Sequence, residues 1–246
     1  MGLINFFLKR KQNGKAHIDK DVSGKCLQLL NWKQYLDDIE ESGHFISRKE
    51  VESQVAQYSE AMDFFVTLDE NDVLEDYCSK HGFDAEDAQK LCHQYQHIGE
   101  IIDELNDRYV ASKLIEEKDY LDNILKEVDA AISLDEDQRK VVLSDEDYSL
   151  VIAGAGAGKT TTVAAKVKYL VEKQGINPEQ ILIISFTNKA VNELRDKINK
   201  GLNISCPIAT FHSTGNAILH KNSPEQLNIV DGSKFYYCVQ NWMQRR

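Results

Sequence analysis

The chain has 246 residues, of which 42% are hydrophobic, and its formal net charge is −11. This hydrophobic fraction is close to the globular norm and excludes wholesale disorder. The five cysteines form no C-x-x-C pair, which is typical of free thiols in a reducing compartment rather than of a disulfide framework. No apolar run approaches the ~20 residues that a membrane-spanning helix needs, so we expect a cytoplasmic protein with no membrane partner.

The acidic charge lies in the first half of the chain. Residues 1–131 hold 15 Lys and Arg against 28 Asp and Glu, a net charge of −13, whereas residues 132–246 hold 14 against 12, a net charge of +2. The overall charge therefore does not exclude nucleic acid as a ligand, because a phosphate-binding surface needs only local positive charge.

The first half is predicted to be helical, and we assign residues 1–130 to an acidic helical region. Ser47 and Glu50 have the spacing of a capping box, and an apolar stripe follows them. A second stripe, in steps of three and four, predicts one long helix with a narrow seam, suited to a helical hairpin or short coiled coil. Gly99 lies in this seam and allows a kink. The first stripe is Val51, Val55, Tyr58, Met62 and Phe65, and the second is Ala88, Leu91, Tyr95, Ile98, Ile102, Leu105 and Tyr109.

The apolar pattern changes its period in the second half. Short apolar runs at 149–153 and 181–185 are typical of buried parallel strands. A helical face follows each run, and this alternation predicts an α/β domain over residues 131–246, with a parallel sheet and crossover helices. The two faces consist of Val163, Val167, Leu170 and Val171, and of Val191, Leu194 and Ile198.

A glycine-rich segment lies between the first predicted strand and the helix after it, which is the context of a phosphate-binding P-loop. Glycines let the backbone turn tightly and direct its N–H groups at phosphate oxygens, and the helix start adds its positive dipole end. Lys159 can reach the β- and γ-phosphates and Thr160 can ligate Mg²⁺, so these two residues are the catalytic candidates and the predicted cofactors are ATP and Mg²⁺. The predicted nucleotide-binding residues here are Ala153, Gly154, Ala155, Gly156, Ala157, Gly158, Lys159, Thr160 and Thr161.

Two aromatic residues, Phe186 and Phe211, lie just past apolar runs. This places them at the carboxyl edge of the predicted sheet, where ligands bind in such folds. Beside Asn188, Lys189 and His212 they offer base stacking together with phosphate contacts. Both phenylalanines are also compatible with ordinary core positions, so the pattern alone leaves two interpretations.

These segments resemble the motifs of UvrD/Rep-type superfamily 1 DNA helicases, closest to the helicase IV branch. Residues 134–139 resemble the Q motif, residues 184–190 resemble motif Ia, and residues 209–213 resemble the motif after it. The resemblance implies a RecA-like P-loop fold, adenine recognition by Gln138 with Arg139 in the nucleotide site, and contacts to DNA. The implied DNA-binding residues are Phe186, Thr187, Asn188, Lys189, Thr210, Phe211 and His212.

Gln138 has a second interpretation that does not involve a nucleotide. Asp135 and Gln138 have the spacing of a capping box at the start of a helix. Residues 135–138 also spell D-E-x-Q, but they precede the P-loop and follow no buried strand, which argues against a Walker B motif.

The family resemblance implies an ATP-dependent DNA helicase that translocates along single-stranded DNA with 3′-to-5′ polarity. Its partner would be single-stranded DNA or DNA with a single-stranded tail. Residues 227–242 resemble the segment that follows in helicase IV relatives, but Asp231 there lacks the glutamate of a Walker B pair. We therefore expect the front portion of a longer enzyme, which alone hydrolyses ATP negligibly. Alternatives are an interaction protein that engages RNA polymerase through its helical region, and a defence-system helicase subunit with a nuclease partner.

Overall fold

The computed structural model describes residues 20–222 and 240–241. The predicted tail at 227–242, including Asp231, lies outside this part apart from residues 240–241. Within the described ranges, no helix combines the length and the apolar character needed to cross a membrane.

The described residues form two compact units. The first comprises residues 20–118 and 143–152, and the second comprises residues 119–142, 153–222 and 240–241. The division at residue 130 that the sequence suggested stays a prediction.

Helices dominate the first unit, as its apolar stripes predict. Ser47 caps the second helix, where its Oγ accepts a hydrogen bond from the Glu50 N–H at 3.4 Å, so the Ser47 half of the predicted capping box is confirmed. Tyr58, Met62 and Phe65 of the first stripe are buried around Trp32. The helices are α1 Lys20–Glu41, α2 Arg48–Glu70, α3 Leu74–His81, α4 Ala85–Gln96 and α5 Ile98–Glu116.

The single long helix predicted from the second stripe is wrong. The chain leaves the helical conformation at His97, which ends α4 and precedes α5. Ala88, Leu91 and Ile102 from both sides of this break are buried in the core that also contains Trp32. Apolar spacing is insensitive to a change of helix axis, so two short helices that contribute to one shared core display the same periodicity as one long helix.

The remaining elements include a small parallel sheet. Strand β1 pairs with β2 in parallel, with Ile183 opposite Ile208 and Ser185 opposite Thr210. The helix between the strands is the predicted crossover, and its Val191 is buried together with Leu194 and Ile198. The elements are α6 Lys118–Asn123, α7 Glu136–Leu143, α8 Lys159–Glu172, a 3₁₀ turn Pro178–Gln180, β1 Ile183–Ser185, α9 Asn188–Arg195, a π-helical turn Asp196–Gly201, β2 Ile208–Thr210 and α10 Phe211–Asn222.

The strand predicted at 149–153 is wrong, because this segment has no regular structure and Leu150 and Ile152 are 86% and 89% exposed. The run at 181–185 does form a strand, but only over its last three residues. A continuous apolar run predicts burial, whereas a strand also needs a neighbouring strand to pair its backbone groups. The sequence of the run itself does not specify that neighbour.

The predicted buried face of α8 is confirmed in part. Val167 is buried and Leu170 and Val171 are half-buried, whereas Val163 is 38% exposed and the unpredicted Ala164 and Ala165 are fully buried. Lys168 is buried as well, and its ammonium pairs with Glu127 at 2.5 Å. Because small residues allow close packing and a paired lysine can be buried, the apolar pattern missed these members of the inner face and wrongly included Val163.

Candidate nucleotide and nucleic-acid sites

The glycine-rich segment forms a tight turn that leads directly into α8. Gly156 and Gly158 have φ angles of +78° and +75°, a conformation that side chains with a Cβ rarely adopt. Gly158 is the N-cap residue of α8, so the turn delivers the chain to the positive end of a helix dipole. The local backbone therefore has the two features that anion binding at a helix start requires.

The Lys159 side chain folds over this loop. Its Nζ donates hydrogen bonds to the carbonyl oxygens of Ala153 at 3.2 Å and Gly154 at 2.5 Å. Thr160 is half-buried in the first turn of α8. In the described part of the chain, the N–H groups of Gly156 and Gly158 have no hydrogen-bond acceptor. Unpaired amides, an ammonium group and a hydroxyl at one helix start are a donor set that fits a magnesium-bound polyphosphate.

Gln138 links α7 to the phosphate loop. Its Oε1 accepts from the Asp135 N–H at 3.1 Å, and its own N–H donates to Asp135 Oδ1 at 2.8 Å, which confirms the capping box. Its Nε2 also donates to the Ala157 carbonyl at 3.1 Å. A Cβ added at Gly158 would lie 2.6 Å from this Nε2. The sequence did not indicate this contact with the loop, because the two residues come from separate segments.

Arg139 is held by other parts of the same unit. Its terminal guanidinium nitrogen lies 2.6 Å from Asp122 Oδ1, and its Nε donates to the Leu134 carbonyl at 3.0 Å. The side chain is only 17% exposed. Its charge is therefore compensated by a carboxylate in this conformation.

Phe186 and Phe211 project from one edge of the sheet. Each directly follows the last residue of its strand, and the last residues Ser185 and Thr210 are opposite each other in a parallel pair. The carboxyl ends of β1 and β2 therefore coincide. The two rings are 84% and 69% exposed, so the interpretation of both residues as core aromatics is wrong.

Two helices begin at this same edge, and each has a hydroxyl cap. Thr187 Oγ1 accepts a hydrogen bond from the Ala190 N–H at 3.2 Å, at the start of α9. At the start of α10, Ser213 N–H donates to Thr210 Oγ1 at 3.2 Å, and Thr210 N–H donates back to Ser213 Oγ at 3.0 Å. The sequence did not indicate this reciprocal pair, because the usual capping box has Glu or Gln rather than Ser three residues after the Thr.

The polar residues predicted to contact a strand accompany these helix starts. Asn188, Lys189 and His212 are all exposed in the first turns of α9 and α10. Together with the two phenylalanines they form what we call the aromatic edge. Exposed rings beside helix N-termini and polar side chains suit a ligand that has both flat bases and phosphates.

Two basic residues beyond this edge were not predicted to have a role. Lys197 Nζ donates to Thr161 Oγ1 at 3.2 Å, and the Arg195 guanidinium donates to the Ile208 carbonyl at 2.6 Å. Sequence spacing gave no signal for either contact, because both join segments that are distant along the chain.

Comparison with known proteins finds similarity to DNA helicases in the second half of the chain. Residues 134–237 match the UvrD/REP helicase N-terminal domain. The chain is 37% identical over 109 residues to a probable DNA helicase of Mycoplasma pneumoniae, and the aligned region covers 42% of this chain and 20% of the relative. It is 37% identical over 118 residues to the ATP-dependent DNA helicase UvrD1 of Mycobacterium leprae, covering 46% and 15%. It is 38% identical over 94 residues to the ATP-dependent DNA helicase Rep of Buchnera aphidicola, covering 37% and 15%.

The resemblance to UvrD/Rep-type helicases that the motifs predicted is thereby confirmed for this part of the chain. The match spans a fifth or less of the length of these relatives. The closer assignment to the helicase IV branch stays a prediction.

Proposed function

Because residues 134–237 match the UvrD/REP helicase N-terminal domain, we propose that this part of the chain binds Mg–ATP and single-stranded DNA as the ATP-binding portion of a DNA helicase. The observation that supports it most is the aromatic edge, where Phe186 and Phe211 lie exposed at the paired ends of β1 and β2. The phosphate loop belongs to the same compact unit.

At the phosphate loop, the backbone N–H groups and Lys159 would hold the β- and γ-phosphates, and the Thr160 hydroxyl would ligate Mg²⁺. When bound, the metal neutralises charge on the phosphate oxygens. Ala155, Gly156 and Gly158 supply backbone donors rather than side-chain chemistry. The left-handed conformation of the last two glycines supports this role.

For the base, we propose that Gln138 reads the adenine edge. An amide offers both a donor and an acceptor, which suits the exocyclic amine and ring nitrogen of adenine. Its Nε2 bond to the Ala157 carbonyl places the amide beside the loop, and the second hydrogen on Nε2 would remain available to the base. Arg139 would contribute by holding the start of α7 in place through Asp122.

For the strand, Phe186 and Phe211 would stack on bases, while Lys189 and the capped helix starts would face phosphates. Stacking of this kind tolerates any base, which suits a protein that moves along DNA. For the whole protein we propose ATP-driven translocation on single-stranded DNA with 3′-to-5′ polarity, and the names of the relatives as DNA helicases support it. We also propose a RecA-like fold, supported by the parallel β1–β2 pair and the crossover helix α9.

Calorimetry with Mg–ATP tests the nucleotide site. Lys159→Ala should weaken binding by about 10–150-fold, because a hydrogen bond to a charged group contributes ~1.5–3 kcal/mol. Lys200→Ala is the matched control, since Lys200 is exposed in the π-helical turn and pairs only locally with Asp196 at 2.7 Å. Equal affinities for wild type and Lys159→Ala would contradict the assignment of the loop.

Fluorescence anisotropy with a labelled oligothymidylate tests the aromatic edge. Phe186→Ala and Phe211→Ala should each weaken binding by about 5–150-fold, because stacking contributes ~1–3 kcal/mol per base. Tyr148→Ala serves as the control, because Tyr148 is an aromatic residue that is 88% exposed outside this unit. If all three variants bind like wild type, the edge is not a strand-binding surface.

A further inference from the structure

The segment from α9 through the π-helical turn contacts both the phosphate-loop helix and the sheet. Lys197, in the π-helical turn, donates from Nζ to Thr161 Oγ1 at 3.2 Å. Thr161 directly follows the predicted magnesium ligand Thr160. Arg195, two residues earlier, donates to the carbonyl of Ile208, the first residue of β2, at 2.6 Å. One short segment therefore bonds to the helix of the nucleotide site and to the strand that directly precedes Phe211.

The π-helical turn fixes the backbone from which the Lys197 side chain extends. The Leu202 N–H is shared between two carbonyls at 3.2 Å each, that of Ile198 four residues back and that of Lys197 five residues back, and the second bond closes the wider ring of a π-helix. Ile198 in this turn is fully buried, so the backbone around Lys197 is anchored. Such turns are rare and occur frequently at functional sites. The half-buried Lys197 side chain thus has a fixed base and one defined acceptor.

We propose that Lys197 is a positioning residue that couples occupancy of the phosphate loop to the affinity of the aromatic edge for a strand. This inference rests on the proposed function, since it requires both ligands. A nucleotide that fixes the first turn of α8 also fixes Thr161, and the Lys197 bond passes that restraint to the π-helical turn. The Arg195 bond then carries it to β2 and to the position of Phe211. Coupling is reciprocal, so the strand must alter nucleotide affinity by the same factor.

The test measures oligothymidylate affinity of the full chain with no nucleotide, with saturating Mg–ADP and with a saturating non-hydrolysable ATP analogue. In wild type the affinities should differ by about fivefold or more between states, the lower range of known couplings. Lys197→Met keeps the apolar stem and removes the donor. The ratio of the oligothymidylate affinities with and without nucleotide should therefore fall to near one, while the affinity without nucleotide stays unchanged. Lys197→Arg should restore most of the ratio, which a purely structural defect would not allow.

Two further variants make the test specific. Lys200→Met removes the same charge from the same turn and should keep the wild-type ratio. Thr161→Val removes the acceptor and should also bring this affinity ratio to near one. If one of the two variants fails to fold, the other still tests the bond. Saturating nucleotide keeps a loss of nucleotide affinity from imitating a loss of coupling.

The outcomes separate this inference from the proposed function. A wild-type ratio that survives in Lys197→Met, or a wild type that binds both ligands without any ratio, would overturn the coupling and leave the proposed function standing. A wild type that binds neither Mg–ADP nor the oligothymidylate would overturn both.

Discussion

The Gly158→Ala substitution probes the phosphate loop at its most constrained position. Gly158 has a φ of +75° and caps α8, so alanine would have to adopt the left-handed conformation. Its new Cβ would also lie 2.6 Å from Gln138 Nε2, closer than real Cβ contacts come. Either the loop changes shape or the Gln138 amide moves away from the Ala157 carbonyl.

The size of the effect follows from these two contributions. The left-handed conformation costs a residue with a Cβ ~1–2 kcal/mol. Displacing Gln138 forfeits a hydrogen bond with a net contribution of ~0.5–1.5 kcal/mol. If nucleotide binding uses the observed loop, the two contributions together, ~1.5–3.5 kcal/mol, should lower Mg–ADP affinity by about 10–300-fold, since 1.4 kcal/mol is tenfold. Gly156→Ala has the same φ problem but open space around its Cβ, so it should cost about 5–30-fold.

Calorimetric titration with Mg–ADP is the assay, because ADP avoids hydrolysis during the measurement. A double-mutant cycle with Gln138→Ala isolates the contact with Gln138. The loss caused by Gly158→Ala should be about fivefold smaller in the Gln138→Ala background, since ~1 kcal/mol of the cost is the displaced amide. Equal losses in both backgrounds, or a Gly158→Ala chain that binds within about twofold of wild type, would refute this reasoning.

Three further predictions concern the helical unit, each measured by urea denaturation. Asn106→Ala should cost about 2–4 kcal/mol, because the buried amide bonds both the N–H and the carbonyl of Ile46, at 2.8 and 2.9 Å; a cost below ~1 kcal/mol would contradict this. Phe65→Ala should cost about 3–5 kcal/mol, whereas Leu27→Ala, at a position that is 58% exposed, should change stability by less than ~0.5 kcal/mol. Burial raises the pKa of Cys26 from 9.0 to about 11, so the thiol ionises at a lower pH in the unfolded chain than in the folded one. The free energy of unfolding should therefore fall as the pH rises from 9 to 11, and the fall should be smaller in Cys26→Ala.

The helical half shows how far periodicity alone reaches. The stripe that includes Tyr58, Met62 and Phe65 predicted a helix and its buried face, because one helix buries those residues together. The break at His97 was not predictable in this way. The residues on both sides keep the same spacing, and only the shared core determines that the chain changes direction there.

Local chemistry was predictable wherever it depends on neighbours in sequence. The capping pair Asp135–Gln138 and the glycine turn before Lys159 follow from spacing, because the atoms that interact lie within a few residues. The contacts of Gln138 with Ala157 and of Lys197 with Thr161 depend on packing between distant segments. No pattern in the sequence encodes them directly.

The two phenylalanines illustrate why exposure needs the fold. Phe186 and Phe211 each follow an apolar run, and that pattern alone is compatible with a core position as well as with a surface position. The register of the sheet places Ser185 opposite Thr210, so both strands end at the same edge. Among the described residues no third strand pairs with these two, and both phenylalanines are left exposed. Leaving two large rings 84% and 69% exposed forfeits their hydrophobic burial. Under the proposed function, a stacking ligand with phosphates would cover both rings beside the two hydroxyl-capped helix starts and so offset this cost.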